Sequence, residues 1–413
     1  MTTATRFGQE VAAIQRPAPA QGAGTQRVEP AHRADVLVVV RWPVGGIRTH
    51  ILYNYPSLAQ LGYRFTFITP ADDTFETFAS SVASLGRVAC VGVPVNKKRC
   101  GLWREVRRQL RTGRFNLLHS HGITAAVHTS LANVGLNYPH VATLHDVFRP
   151  CHFAGIGGGV KRRVLSWLLR QAHRLVAVSE DVRQNLFEYL PSLRSRDASI
   201  KTILNGVKDL NREPEPASGD GDLRARLGVG RAVRVFGFLG RFMEQKGFLP
   251  LVHALRQAAD SDPATPFHLV AVGSGDYRNE YATEVRRLDL CGHVTMIDFI
   301  PDVRPVLTQL DLLVIPSLWE ASSLLAMEAM AVGIPILGTD CIGLREVLRG
   351  TPSRMVAAGD VGALAHTLRE ALETPWTEDA RAFAPVARQR FDNAPSARKL
   401  AAEFDELVGS KAR

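Results

Sequence analysis

Short apolar runs recur along this chain with helical patterns between them, and that rhythm limits the fold more than any other feature. The first run, Ala34–Val40, reads ADVLVVV. A strand with one wet face alternates polar and apolar residues. An unbroken run is how a strand covered on both faces of a parallel sheet reads. Comparable runs follow at 64–69, 88–93, 116–121, 140–145, 174–179 and 199–204. Between most of them apolar residues recur at helical spacing, at 47–61, 102–111, 124–134 and 160–171. Alternating strands and helices imply an α/β fold with a parallel sheet and right-handed crossovers.

The rhythm breaks at 209–222, DLNREPEPASGDGD, a stretch of Pro, Gly and acids that reads as a linker. It restarts with runs at 233–239, 267–272, 293–297, 312–315 and 334–338. The expected organisation is a disordered leader at 1–33, a Rossmann-like domain at 34–208, a linker at 209–222, a second Rossmann-like domain at 223–390 and a terminal segment at 391–413. Two such domains would face a cleft. Ligands of open parallel sheets lie outside the carboxyl ends of the strands, so site residues are expected just after the strands.

Composition excludes several classes. With 46% apolar and 22% charged residues, the chain is neither collagen-like nor wholly disordered. No uninterrupted apolar run of about 20 residues is present to span a bilayer. The first residues, MTTATRFGQEVAAIQ, lack the apolar core of a secretory signal. Cys90, Cys100, Cys151, Cys291 and Cys341 are scattered, with no CxxC, which fits free thiols in a reducing cytoplasm. A net charge of +10 favours anionic partners. Nucleic acid is not expected among them, because no zinc finger or aromatic-studded basic sheet is present. Residues 97–114 hold eight basic residues and one acid. Within them Leu102, Trp103, Val106 and Leu110 recur at helical spacing, with Arg104, Arg107, Arg108 and Arg111 between. This basic amphipathic helix, Leu102 to Arg111, is either a contact with an anionic membrane surface or a helix packed on the sheet with a solvated face.

Several motifs follow strands. Gly240-Arg241 through Lys246-Gly247 comes after the run at 233–239 and places two cations near a helix start, a diphosphate-binding arrangement without Walker spacing. Glu320 and Glu328 lie eight residues apart, with Ser322 or Ser323 as helix N-cap between them. Such carboxylates accept hydrogen bonds from sugar or ribose hydroxyls. Gly45-Gly46 and Gly273-Ser274-Gly275 both lack the full GxGxxG fingerprint, which excludes a nicotinamide oxidoreductase. His119, His121 and His145 end strands, and the first two share one face. A metal would need a third ligand and a fixed geometry, so structural or substrate-contacting roles are preferred and no metal is expected.

Taken in order, these segments resemble the retaining GT-B glycosyltransferases of the large group 4 family. The matching residues run from Gly45-Gly46-Ile-Arg-Thr-His50, His119-Ser-His121-Gly122, Thr143-Leu-His145-Asp146 and Val178-Ser179-Glu180 to Asn205-Gly206-Val207. They continue through the Arg241/Lys246 turn, Gly273-Ser-Gly275, Glu320/Glu328, Gly333-Ile-Pro335 and Gly343-Leu-Arg-Glu346. The resemblance implies two Rossmann-like domains facing a cleft, with the last helix, about 394–408, crossing back to the first domain. It implies that the second domain binds a nucleotide-sugar donor without a metal or other cofactor. Arg241 and Lys246 would hold the diphosphate, Glu328 the ribose and Glu320 the transferred sugar. Gly45, Gly46, Gly240, Gly273, Ile300, Ser322, Ser323 and Leu324 would complete the donor site. His145 would sit at the reacting sugar, and His119, His121 and Asp146 on the side of a carbohydrate or lipid-linked acceptor. Where the family commonly has glycines after the first Glu, this chain has Ala321-Ser322-Ser323, which crowds the sugar pocket. A non-catalytic binding subunit and a sugar-nucleotide epimerase of the same fold are the alternatives.

Overall fold

A computed structural model describes residues 31–86, 88–95, 101–208, 223–261, 266–300 and 302–411. Most of the expected leader and the whole linker at 209–222 lie outside these residues.

Two wholly parallel sheets organise the chain. The first has seven strands: β1 (Ala34–Val40), β2 (Tyr63–Ala71), β3 (Val88–Pro94), β4 (Leu117–His121), β5 (His140–Leu144), β6 (Arg174–Ala177) and β7 (Ile200–Thr202), in the order β3-β2-β1-β4-β5-β6-β7. The second has six: β8 (Arg234–Leu239), β9 (Phe267–Val272), β10 (Val294–Ile297), β11 (Leu312–Ile315), β12 (Ile336–Thr339) and β13 (Arg354–Val356), in the order β10-β9-β8-β11-β12-β13. β4, β5, β9, β11 and β12 are buried along their whole length, as strands covered on both faces are. β13 carries no apolar run. It is a three-residue edge strand with Arg354 and Met355 exposed. In each sheet the order reverses beside the first strand, at β1 and at β8, and the crevice opens at such a reversal.

The terminal helix Ala394–Lys411 returns to the first domain. Its Leu400, Ala401, Phe404 and Leu407 share a core with Val36 of β1 and Phe65 of β2. The chain passes between the domains twice, and the passes lie side by side. The Val207 amide donates to the Phe391 carbonyl at 2.8 Å, and the Asn393 amide to the Val207 carbonyl at 3.2 Å. A Cβ on Gly206 would fall 2.7 Å from the Asn393 Cα, so the close approach needs glycine there.

The basic helix Gly101–Leu110 packs on the first sheet. Leu102, Val106 and Leu110 are buried with Leu37, Val39 and Ile68. Arg107 donates to the Ala132 and Val134 carbonyls, and Arg108 pairs with Glu105. The apolar stripe at 102–111 packs on the core, with Trp103 half-buried at its edge. No described helix is long and apolar enough to cross a membrane.

Candidate functional site

Three turns at the carboxyl end of the second sheet build one half of the site. The turns after β8 and β9 are joined by the Gly240 amide to the Val272 carbonyl and the Phe242 amide to the Ser274 carbonyl, both 2.9 Å. The turn after β11 is joined by the Leu318 amide to the Gln245 carbonyl at 2.8 Å. Gly247, at φ +68°, has no room for a Cβ, which would sit 1.9 Å from the Pro316 carbonyl oxygen. This stacking carries Lys246 to Glu320, with Nζ 2.5 Å from Oε1. The same oxygen accepts the Ser317 hydroxyl at 2.8 Å, and Glu320 is buried. Arg241 is exposed at the same turn.

Ser323 is the N-cap of the helix Leu324–Val332. Its hydroxyl accepts the Ala326 amide, which leaves Glu320 in the preceding loop and Glu328 on the helix. Ser322 is half-buried beside it and Leu324 is buried. Glu328 accepts the hydroxyl of Tyr53, a residue of the opposite domain. Burial pushes the Glu328 carboxyl up to about 7, against the downward pull of that hydrogen bond. Ile300, past β10, is half-buried against the same core as Leu324 and Met327.

The first domain faces these groups. Gly45 and Gly46 are exposed and begin the helix Gly45–Gln60, whose first turn has neither a side-chain cap nor an acid. Its leading amides therefore have no side-chain cap. Beneath lies a chain of hydrogen bonds. His145, half-buried just past β5, meets His121 at 3.1 Å between Nε2 and Nδ1. His121 Nε2 meets the Tyr55 hydroxyl at 2.8 Å, that hydroxyl meets His119 Nδ1 at 2.7 Å, and His119 Nε2 meets the Thr143 hydroxyl at 2.8 Å. His50 closes on His145, with ring centroids 4.8 Å apart, and bonds Asn205 through Nδ1 at 2.9 Å. Burial pushes all four imidazoles down, His50 to about 4, so they are neutral at pH 7.

His119 and His121 are buried, and His121 is joined to His145. Asp146 accepts the Ile123 amide at 2.6 Å, at the start of the helix Ile123–Asn133. One ring nitrogen each of His50, His121 and His145 lies within 4.8 Å of the others. His121 spends both nitrogens on Tyr55 and His145, and His50 spends Nδ1 on Asn205. His50 Nε2 and one nitrogen of His145 remain uncommitted by these bonds. The donor set fits a hydrogen-bonded chain.

Reciprocal contacts hold the halves together. The Glu346 carboxylate accepts the amides of Glu180 and Asp181 at 3.1 and 2.9 Å, capping the helix Glu180–Tyr189 of the other domain. The Asp181 carboxylate in return accepts the Gly343 amide and the Arg345 guanidinium, both at 2.8 Å. Arg149 lies over the Trp319 ring at 3.6 Å. Trp319 and Ala321 pack against the core cluster that holds Leu144 and Val147, so the Glu320 loop meets the domain of the His145 turn. Tyr53, Tyr55, Asn205 and Asp181 were not expected as site residues. The two tyrosines fall at apolar positions of a helix, where a core role is the ordinary reading.

Two family descriptions match the chain: "Glycosyltransferase Family 4" over residues 44–209 and "Glycosyl transferases group 1" over 233–374. Glycogen synthase of Mycobacterium tuberculosis is 29% identical over 287 residues, 68% of this chain and 65% of that protein's length. Phosphatidyl-myo-inositol mannosyltransferase of Mycolicibacterium smegmatis is 27% identical over 340 residues, covering 80% of this chain and 81% of that one. Among solved structures, Anabaena HepE in complex with UDP-glucose superposes with a TM-score of 0.75 at 22% identity, over 91% of this chain and 100% of that one. The matches, the two parallel sheets and the returning helix agree, and the chain belongs to the group 1 glycosyltransferases of the GT-B fold.

Proposed function

We propose that this protein is a retaining glycosyltransferase, moving a sugar from a nucleotide-sugar donor to a hydroxyl of a carbohydrate, lipid-linked or small-molecule acceptor in polysaccharide, glycolipid or glycoconjugate synthesis. The observation that carries this reading is the gathering of Arg241, Lys246, Glu320 and Glu328 at one sheet's carboxyl edge, on the side that meets the domain of the His145 turn. Arg241, Lys246 and the uncapped amides of Gly45–Gln60 neutralise the charge that grows on the leaving diphosphate. Glu328 takes the ribose and Glu320 the hydroxyls of the sugar. His145, neutral and fixed from below, hydrogen-bonds the sugar. The anomeric carbon–phosphate oxygen bond breaks as the bond to the acceptor oxygen forms on the same face. The acceptor proton passes to the departing phosphate. The chain's own cations serve where a divalent ion would, so turnover is expected to survive EDTA. A structural neighbour that holds UDP-glucose makes UDP-hexoses the first donors to supply.

The test is thermal unfolding with UDP, GDP, ADP and NAD on wild type and on Arg241→Ala/Lys246→Ala. A ligand at about 100 times its dissociation constant adds roughly 2.7 kcal/mol. Stabilisation by one nucleoside diphosphate that the double variant loses supports the donor site. Equal stabilisation of both proteins, or of neither, overturns it. Proton NMR of the product's anomeric centre then reads retention directly.

A further inference from the structure

Between residues 147 and 179 the chain carries Arg149, Lys161, Arg162, Arg163, Arg170 and Arg174, and no acid. Most of this segment is the helix Gly158–Leu169 and the turn before it. The inner face of the helix is filled by Ser166, Leu168 and Leu169. The outer face is apolar where a solvated helix would be polar. Val160, Val164 and Trp167, spaced i, i+4 and i+7, are 61, 50 and 51% exposed, and Ile156 in the preceding turn is fully exposed. At about 100° per residue, Lys161 falls on one flank of this ridge and Arg163 and Arg170 on the other. All three are exposed.

We propose that this ridge is a docking surface for an anionic lipid bilayer. Charge selects the occupant: a ridge flanked by cations, on a chain of net charge +10, is complementary to anionic headgroups, and a tryptophan beside aliphatic residues suits the boundary between headgroups and acyl chains. The segment begins two residues after His145, so docking brings the cleft's acceptor side to the lipid. That consequence rests on the transfer reading; the docking itself does not.

The experiment is co-sedimentation of the full chain, without donor or acceptor, with phosphatidylglycerol–phosphatidylcholine vesicles and with pure phosphatidylcholine vesicles. Binding is expected only to the anionic vesicles, weakening with salt. Lys161→Gln/Arg163→Gln is expected to lose about thirty-fold in partitioning, the fold-change that about 1 kcal/mol per cation converts to. Val160→Ser/Val164→Ser/Trp167→Ser is expected to lose binding with an unchanged melting temperature, because these side chains are exposed. Tryptophan emission should shift to the blue on anionic vesicles in wild type, and less in Trp167→Phe. Arg104→Glu on the helix Gly101–Leu110 should bind as wild type. Three results overturn the proposal: no binding to anionic vesicles, equal binding to both compositions, or a concentration-dependent dimer by light scattering that the serine variant abolishes.

Discussion

Lys246 and Glu320 form an ion pair across 2.5 Å. Replacing Lys246 with Met should lower kcat by about 10²–10³-fold, the usual loss when one preorganised charge partner of a transition state is removed. The melting temperature should fall too, since buried Glu320 keeps only Ser317 of these two partners. Adding Glu320→Gln should restore the melting temperature without restoring transfer, which scanning calorimetry and turnover together would show. Glu328 gives a separate handle. Its folded-state value near 7 lies above the ordinary glutamate range, about 4.3. The stability this contributes is therefore full below that range and lost as pH rises through about 7. For donor binding the dependence runs the other way, because a protonated carboxyl offers the ribose fewer acceptors. Donor KM should rise as pH falls below about 7. Tyr53→Phe removes the hydrogen bond that holds Glu328 down, and should move that limb to higher pH. Glu328→Gln should flatten it. A pH series of kcat/KM for the three proteins decides.

The helix Gly45–Gln60 brings Tyr55 between His119 and His121, and its hydroxyl carries one proton for two ring nitrogens. It donates to one histidine and accepts from the other, so the chain below His145 has a single direction at any moment. Tyr55→Phe leaves both rings short of a partner in the core. It should cost about 1–3 kcal/mol for each unsatisfied group and lower kcat by up to about 10²-fold through misplacement of His145. Donor affinity should stay near wild type, a split that steady-state kinetics would read. The interlocked caps behave differently. Burial raises the Asp181 carboxyl, but the Arg345 guanidinium and the Gly343 amide outweigh it and hold the group below the ordinary aspartate range. Its contribution is present above about pH 4 and fades as pH falls through that range. Asp181→Ala should cost about 1 kcal/mol and open the cleft, which a larger radius of gyration in X-ray scattering would report. These elements were unequally legible. Strands covered on both faces announce themselves as apolar runs, so β1, β9 and β11 could be drawn to the residue. β13 could not, since an exposed three-residue edge needs no apolar pattern. Helical periodicity shows that a stripe exists but not what covers it. The stripe of Gly101–Leu110 lies in the core, whereas a second stripe on Gly158–Leu169 faces outward. The motifs located Lys246 and Glu320, but nothing in 74 residues of separation showed that they pair.

The two domains are joined by adjacent passes, and the second ends in a helix that belongs to the first domain's core. Phe404 packs edge-on against His119, with centroids 5.1 Å apart, and is fully buried. Phe404→Ala should cost about 3–5 kcal/mol and should also reduce transfer, because the floor beneath the histidine chain is lost. Thermal unfolding and turnover of that variant test both. The order of synthesis gives this arrangement a further meaning. The last strand of the first sheet ends at Thr202, but the side chain that closes that sheet's core is Phe404. It is made about 200 residues later, and at about 5–20 residues per second the first domain waits on the ribosome for roughly 10–40 s with that core uncovered. The second domain lies between and needs none of these late residues for its sheet. The half of the protein translated second is thus able to complete its sheet before the first domain's core is closed.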